Sequence, residues 1–86
     1  MTMQIPSTNK VYIVVEENID DHDGANNRIM GVFNDKNTLL KYVGFLRRTR
    51  QIRYMIHVWE VNSIGQPTEF SVDYVLNPKF GTSVLD

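Results

Sequence analysis

The most constraining feature of this sequence is a predicted strand, Ile52 to Val61, that carries large apolar side chains on both of its faces. Successive side chains of a strand point to opposite sides of the sheet. The strand therefore needs cover on two sides. The side chains are Ile52, Tyr54, Ile56 and Val58 on one face, and Met55, Trp59 and Val61 on the other.

The rest of the sequence predicts three more strands and one helix. The predicted strands are rich in β-branched and aromatic residues, and the predicted helix has apolar residues at helical spacing. Short connections favour antiparallel pairing. The predicted fold is α+β, a four-stranded, mostly antiparallel sheet with one helix on one face and the order β-β-α-β-β. The predicted elements are strands at Lys10 to Glu16, Arg28 to Phe33, Ile52 to Val61 and Glu69 to Leu76, and a helix at about Lys36 to Arg48.

One helix shields only one face of a sheet, so the second face needs another chain, a ligand or a partner. The side chains of Met55, His57, Trp59 and Val61 lie on that second face and are expected to bind a partner. Trp and Met are enriched at protein interfaces. The alternative is that the C-terminal segment Phe80 to Leu85 folds across this face within one chain.

The chain of 86 residues is short enough for one domain. We expect a flexible tail at residues 1–9, a single α+β domain at 10–76, and a C-terminal tail or short docking strand at 77–86. Small domains often gain stability from disulfides, metals or oligomerisation. The chain contains no Cys, which excludes disulfides and leaves a homodimer as the expected route.

We expect the protein to be cytoplasmic. No apolar run is long enough to cross a bilayer, and the N-terminus lacks the basic start and apolar core of a signal peptide. We therefore expect no membrane partner. The net charge of −1 argues against nucleic-acid binding driven by bulk charge.

An acidic segment follows the first predicted strand and reads as a long loop. Its carboxylates could bind a divalent cation, since hard cations prefer oxygen ligands. The EF-hand pattern fails, because aligning Gly24 with its invariant glycine places Ile19 and Met30 at ligand positions. The alternatives are a solvated loop, contact with a basic partner, or a small-molecule or metal site, and we expect no specific metal and no cofactor. The acidic residues are Glu16, Glu17, Asp20, Asp21 and Asp23.

A basic segment follows the predicted helix and supplies four arginines: Arg47, Arg48, Arg50 and Arg53. Guanidinium groups suit phosphates and carboxylates. Three interpretations remain open, namely a solvated helix end that complements the helix dipole, contact with an acidic protein surface, and a nucleic-acid-associated regulator. Tyr54 and Trp59 lie on opposite strand faces, so they would not form one stacking platform for bases.

Catalytic motifs are missing from the sequence, and we predict that the protein is not an enzyme. The histidines are His22 and His57, no Cys nucleophile exists, and no serine lies in a G-x-S-x-G elbow. The phosphate-binding loop, the dinucleotide fingerprint and the H-E-x-x-H motif are also missing.

Three segments, KVYIVVEE, RIMGVFNDKNTLLKYV and YMIHVWEVN, resemble a family of small uncharacterised domains of bacteria and their phages. The resemblance covers about residues 10 to 62 and implies no activity. The sequence departs from the family in the arginine segment and in the extra C-terminal strand. The small size and the lack of an enzymatic motif also resemble phage accessory proteins that bind and block host proteins, and this second resemblance implies a phage-encoded accessory protein that binds and modulates or inhibits a host protein.

Overall fold

The structure is a computed structural model, and it describes residues 10–20, 27–79 and 81–85. Four strands form one antiparallel sheet in the order β2-β1-β3-β4. This confirms the predicted α+β class with a four-stranded antiparallel sheet. The elements along the chain are β1 (Lys10–Asn18), β2 (Arg28–Phe33), α1 (Lys36–Val43), β3 (Ile52–Glu60), β4 (Thr68–Ser71), α2 (Val72–Val75) and a 3-10 turn (Ser83–Leu85).

The two longest strands, β1 and β3, pair along their full lengths in the centre of the sheet. Each alternates between the two faces. On one face Tyr12 and Val14 lie opposite Val58 and Ile56, and this face forms the core. Residues from both helices and from the C-terminal turn complete that core: Leu39, Val43, Val72, Val75 and Leu85.

A bulge in β2 changes which face its side chains occupy. Val14 pairs with Gly31, but Val15 pairs with Ile29, so Met30 is the extra residue. Simple alternation would put Ile29 on the same face as Phe33, yet Phe33 packs against the core and Ile29 is 66% exposed on the opposite face. The bulge thus lies at Met30, next to Gly31. The face assigned by simple alternation is wrong for Ile29, because the bulge shifts the period.

The helix α1 begins where the sequence predicts and ends earlier. The side chain of Asp35 caps it by accepting a hydrogen bond from the backbone N–H of Thr38 at 2.9 Å. The predicted end at Arg48 is wrong, because the helix ends at Val43 and the chain turns at Gly44. Glycine weakens a helix. Leu46 still packs against the core from the irregular segment that follows.

The predicted fourth strand is wrong in its second half. The strand β4 ends at Ser71, whose side chain caps α2 by accepting a hydrogen bond from the backbone N–H of Tyr74 at 3.0 Å. In α2 the buried residues are Val72 and Val75, three positions apart, which is a helical spacing. The prediction of a single helix is therefore wrong as well.

The C-terminal segment lies on the core face of the sheet. Leu85 is fully buried, and its carbonyl accepts hydrogen bonds from the Tyr12 hydroxyl at 3.1 Å and from Nζ of Lys10 at 3.4 Å. The expected docking strand is thus a 3-10 turn. The alternative in which residues 80 to 85 cover the second face is wrong for residues 81–85, and Phe80 lies outside the described residues.

Two further expectations concern the N-terminal tail and membrane-spanning helices. The predicted N-terminal tail, residues 1–9, lies outside the described residues. Among the residues that are described, no helix has the length and apolar character needed to span a membrane.

Candidate protein-docking surface

The face of the sheet opposite the core, called the open face from here on, forms a regular lattice of twelve side chains. Residues directly opposite each other on paired strands share a face, so the strand register defines four rows across the sheet. The rows are Glu17 and Arg53; then Ile29, Val15, Met55 and Ser71; then Val32, Ile13, His57 and Glu69; and finally Val11 and Trp59.

None of the described helices or turns covers the open face, since each of them contributes its buried side chains to the core on the other side. The two β2 positions are the most exposed, with Ile29 at 66% and Val32 at 61%. Val15, which lies between Ile29 and Met55 in its row, is only 9% exposed. Apolar side chains that remain exposed in one continuous patch are typical of an interaction surface.

Three of the four predicted apolar and aromatic partner-binding residues come together on this face. Met55, His57 and Trp59 occupy successive open-face positions of β3, and each is partly buried. Val61 does not join them. The strand ends at Glu60, and Val61 lies in the turn that follows, 47% exposed.

The charged groups of the open face are paired within the chain. Nε of Arg53 donates a hydrogen bond to Oε1 of Glu17 at 2.8 Å across β1 and β3. Nε2 of His57 lies 3.2 Å from Oε1 of Glu69, which is an ion-pair distance without hydrogen-bond geometry. One of these pairs thus forms an outer row of the face, and the other belongs to the inner row that contains Val32 and Ile13.

The arginines predicted to act as one cluster are separated in the structure. Arg47 donates hydrogen bonds to the carbonyls of Gly44 and Leu46, near the end of α1. Arg48 pairs with Asp73 at 3.1 Å. Arg50 is exposed in the connection to β3, and only Arg53 belongs to the open face. The predicted complement to the helix end applies to Arg47, the arginine that reaches the Gly44 carbonyl.

The acidic segment is also divided. Glu16 and Glu17 belong to β1, because the strand extends to Asn18 rather than ending at Glu16. Asp20 lies in the turn after β1, where its backbone N–H donates to the Asn18 side chain at 3.0 Å. The prediction of one acidic loop is therefore wrong for Glu16 and Glu17. Two further carboxylates, Asp21 and Asp23, and the neighbouring His22 lie outside the described residues.

Glu16 takes part in a small network on the core side of the sheet. It pairs with Arg28 at 3.1 Å and accepts a hydrogen bond from the Tyr54 hydroxyl at 3.3 Å. Burial raises the pKa of the Tyr54 phenol, and the adjacent Glu16 carboxylate raises it further. The network joins β2, β1 and β3 and has a structural role. Within the described part of the chain, no group of His, Asp and Glu side chains could hold a metal ion.

A groove of about 410 Å³ borders the open face. Two open-face residues, Val11 and Val32, form one wall, and residues at the start of α1 form the other. The groove is open and apolar on its sheet side, so it can accept a side chain from a docked molecule. Its lining residues are Val11, Val32, Phe33, Asn34, Asp35 and Thr38.

Sequence reasoning missed the β1 and β2 contributions to this surface. The run Val11 to Val15 contains the signal, because apolar residues at every position require cover on both faces. For Ile29 no local signal existed, since its face depends on the bulge at Met30.

Comparison of the chain with protein-family models, with curated proteins and with solved structures finds no match in any of the three. No residue role can be transferred from a relative, and the resemblance to small bacterial and phage domains stays a prediction.

Proposed function

We propose that this protein is a non-catalytic protein-interaction module that binds its partner through the open face. The observation that supports this most directly is the exposure of Ile29 and Val32, at 66% and 61%, beside the apolar centre of a face that no described element covers. Burying apolar surface is favourable by about 25 cal/mol per Å². A partner protein would supply that burial.

A protein partner fits this face better than a nucleic acid. Protein surfaces that bind nucleic acids are rich in cationic side chains without an ion-pair partner, and they carry aromatic side chains on which bases can stack. Here Arg53 is paired with Glu17, and Arg48 is paired with Asp73. The open face presents mainly aliphatic side chains, which match the apolar centre of a protein interface.

The resemblance extends the proposal to the kind of protein. On that ground alone, the chain is a phage-encoded accessory protein that acts in the host cytoplasm by modulating or inhibiting a host protein. The open face would be the surface that such a partner contacts.

A matched pair of variants tests the docking surface. Ile29→Glu places a carboxylate on the open face, and Ile64→Glu makes the same change at a fully exposed position in the connection after β3. We expect association, either with the same chain or with another protein captured by the tagged chain, to be lost in Ile29→Glu and kept in Ile64→Glu. Circular dichroism and melting curves establish that both variants fold. A folded Ile29→Glu protein that keeps every association of the wild type would contradict the proposal.

A further inference from the structure

We propose that the molecule that covers the open face is a second copy of this chain, packed face to face about a two-fold axis that runs across the strands. This inference rests on the proposed function, because it names the partner of the same surface. The two sheets form an aligned sandwich about 10 Å apart, with an α1 helix on each outer side. A two-fold contact requires a surface that complements itself.

The lattice of the open face is self-complementary about this axis. The rotation lays each strand over its own copy and reverses its direction, so the two inner rows exchange places. Ile29 then lies over Val32 of the second copy, and Val15 lies over Ile13 of the second copy. The apolar centres meet each other, and the most exposed side chains of the face become covered.

Two of the polar positions also find suitable neighbours, whereas Glu17 lies over Val11 of the second copy and keeps its ion pair with Arg53 of its own chain. Arg53 lies over Trp59 of the second copy, where a guanidinium can stack on the indole. The Arg53 side chain is 52% exposed, so it is accessible for that contact. The Ser71 hydroxyl lies over Glu69 of the second copy and can donate a hydrogen bond to its carboxylate.

The other two-fold arrangement, with the axis along the strands, matches less well. It lays β2 over β4 of the second copy. Ile29 and Val32, the two most exposed apolar side chains of the face, would then lie over Ser71 and Glu69 of the second copy instead of over each other. This arrangement would also bring Glu17 over Arg53 of the second copy, and that difference makes the two axes distinguishable.

The area of the face predicts a dimer of moderate affinity. A face position occupies about 33 Å² of a sheet, so the face covers about 400 Å² per copy in projection. Side-chain relief raises the accessible area, and two copies would bury about 1,000–1,200 Å² in total, near the lower limit for a specific interface. We therefore expect a Kd of about 1–100 µM.

Sedimentation equilibrium of the full chain tests the inference, and the fluorescence of Trp59 gives an independent signal. Trp59 is the single tryptophan of the chain and belongs to the open face. On dilution from about 1 mM to about 0.1 µM, a range that extends about tenfold beyond the expected Kd on each side, the dimer should dissociate and the emission should shift to the red. Both curves should give the same Kd.

Four variants examine the geometry. Ile29→Glu should weaken the dimer at least tenfold, because it buries a carboxylate among aliphatic groups, and Ile64→Glu should leave the Kd unchanged. Arg53→Ala should weaken the dimer about five- to tenfold through the lost contact with the indole. Glu17→Gln removes a charge that lies over Val11 of the second copy as well as the ion pair within the chain, and it should not raise the Kd.

Each contrary result has a definite meaning. A chain that is monomeric throughout the dilution, with constant Trp59 emission, overturns the inference. If such a monomer captures another protein in a manner that Ile29→Glu abolishes, the proposed function still stands; without such capture, both fall. A dimer that persists in folded Ile29→Glu also overturns the inference. Equal weakening by Glu17→Gln and Arg53→Ala would place the axis along the strands and overturn the axis across them.

Discussion

The hydroxyl of Tyr12 donates a hydrogen bond at 3.1 Å to the backbone carbonyl of Leu85, and so joins the first strand to the last described turn. The fully buried Leu85 side chain packs into the same core as Tyr12. This contact decides the arrangement of the molecule, because it commits the C-terminal segment to the core face. The described residues of the C-terminal segment therefore do not cover the open face.

Replacement of Leu85 by Ala should destabilise the protein markedly, although the residue lies next to the end of the chain. The expected loss is about 2–4 kcal/mol in the free energy of unfolding, from lost transfer energy and an unfilled cavity. Urea denaturation measures it. Leu76→Ala is the matched control, since Leu76 is 42% exposed and should cost under about 1 kcal/mol. Equal effects of the two changes would show that the segment does not dock as described.

Gly31 is needed because the ring of Phe33 occupies the space that a side chain would take. A Cβ at this position would lie 2.8 Å from Cε2 of Phe33, whose ring also contacts Tyr42 with centroids 5.3 Å apart. Gly31→Ala should therefore destabilise the protein by about 1–3 kcal/mol in urea denaturation. In a Phe33→Leu background the same change should cost clearly less. An unchanged cost in that background would point to the backbone rather than to the ring.

The capping carboxylate Asp35 should make stability depend on pH in the acid range. Hydrogen bonds from the Thr38 side chain and then from its backbone N–H lower the pKa of Asp35 below its usual 3.8. A depressed folded pKa means that the contribution is complete above the unfolded value and is lost as the pH falls through the folded one. Asp35→Ala should lower Tm by roughly 3–6 °C at pH 6.

That difference in Tm between wild type and Asp35→Ala should shrink as the pH falls below the unfolded pKa of 3.8 and through the lower folded pKa, where the carboxyl of the folded protein becomes protonated. Asn34→Ala, at the exposed position just before the cap, is the control and should change Tm little at either pH. A gap between Asp35→Ala and wild type that does not vary with pH would contradict a role for the carboxylate charge.

Tyr54 should make stability fall in the alkaline range. Burial and the Glu16 carboxylate raise the pKa of its phenol above the usual 10.0. A raised folded pKa means that the contribution is complete below the unfolded value and is lost as the pH rises through the folded one. The urea midpoint of wild type should fall more steeply than that of Tyr54→Phe above about pH 10. Parallel curves for the two proteins would show that the phenol is not perturbed.

The sequence anticipated the elements whose signals are local. The start of α1 at Lys36 followed from the helical spacing of the apolar residues, and the two faces of β3 followed from alternation. The strand predicted as far as Leu76 was wrong beyond Ser71. Apolar residues at positions 70, 72, 74 and 76 alternate as in one long strand, but the same residues also allow a strand that ends at Ser71 and a helix that begins at Val72. The cap at Ser71 decides between these alternatives, and its effect depends on Val72 and Val75 finding the core.

The candidate site was anticipated only in part. Met55, His57 and Trp59 share the open face because β3 is a regular strand. Val61 falls outside the surface because the strand stops one residue earlier, at Glu60. The arginines were misjudged as a group, since their partners, such as Asp73 for Arg48, lie far away in sequence.

By itself, the sequence determined that both faces of β1 and β3 are apolar and that an antiparallel sheet with helical cover would form, because side-chain alternation is a local property of the chain. Only the tertiary structure decided which face is covered. That choice depends on contacts between distant residues, above all Leu85 with Tyr12, and on the bulge that turns Ile29 outward. Neither the contact between Leu85 and Tyr12 nor the outward position of Ile29 can be predicted from a short stretch of the sequence.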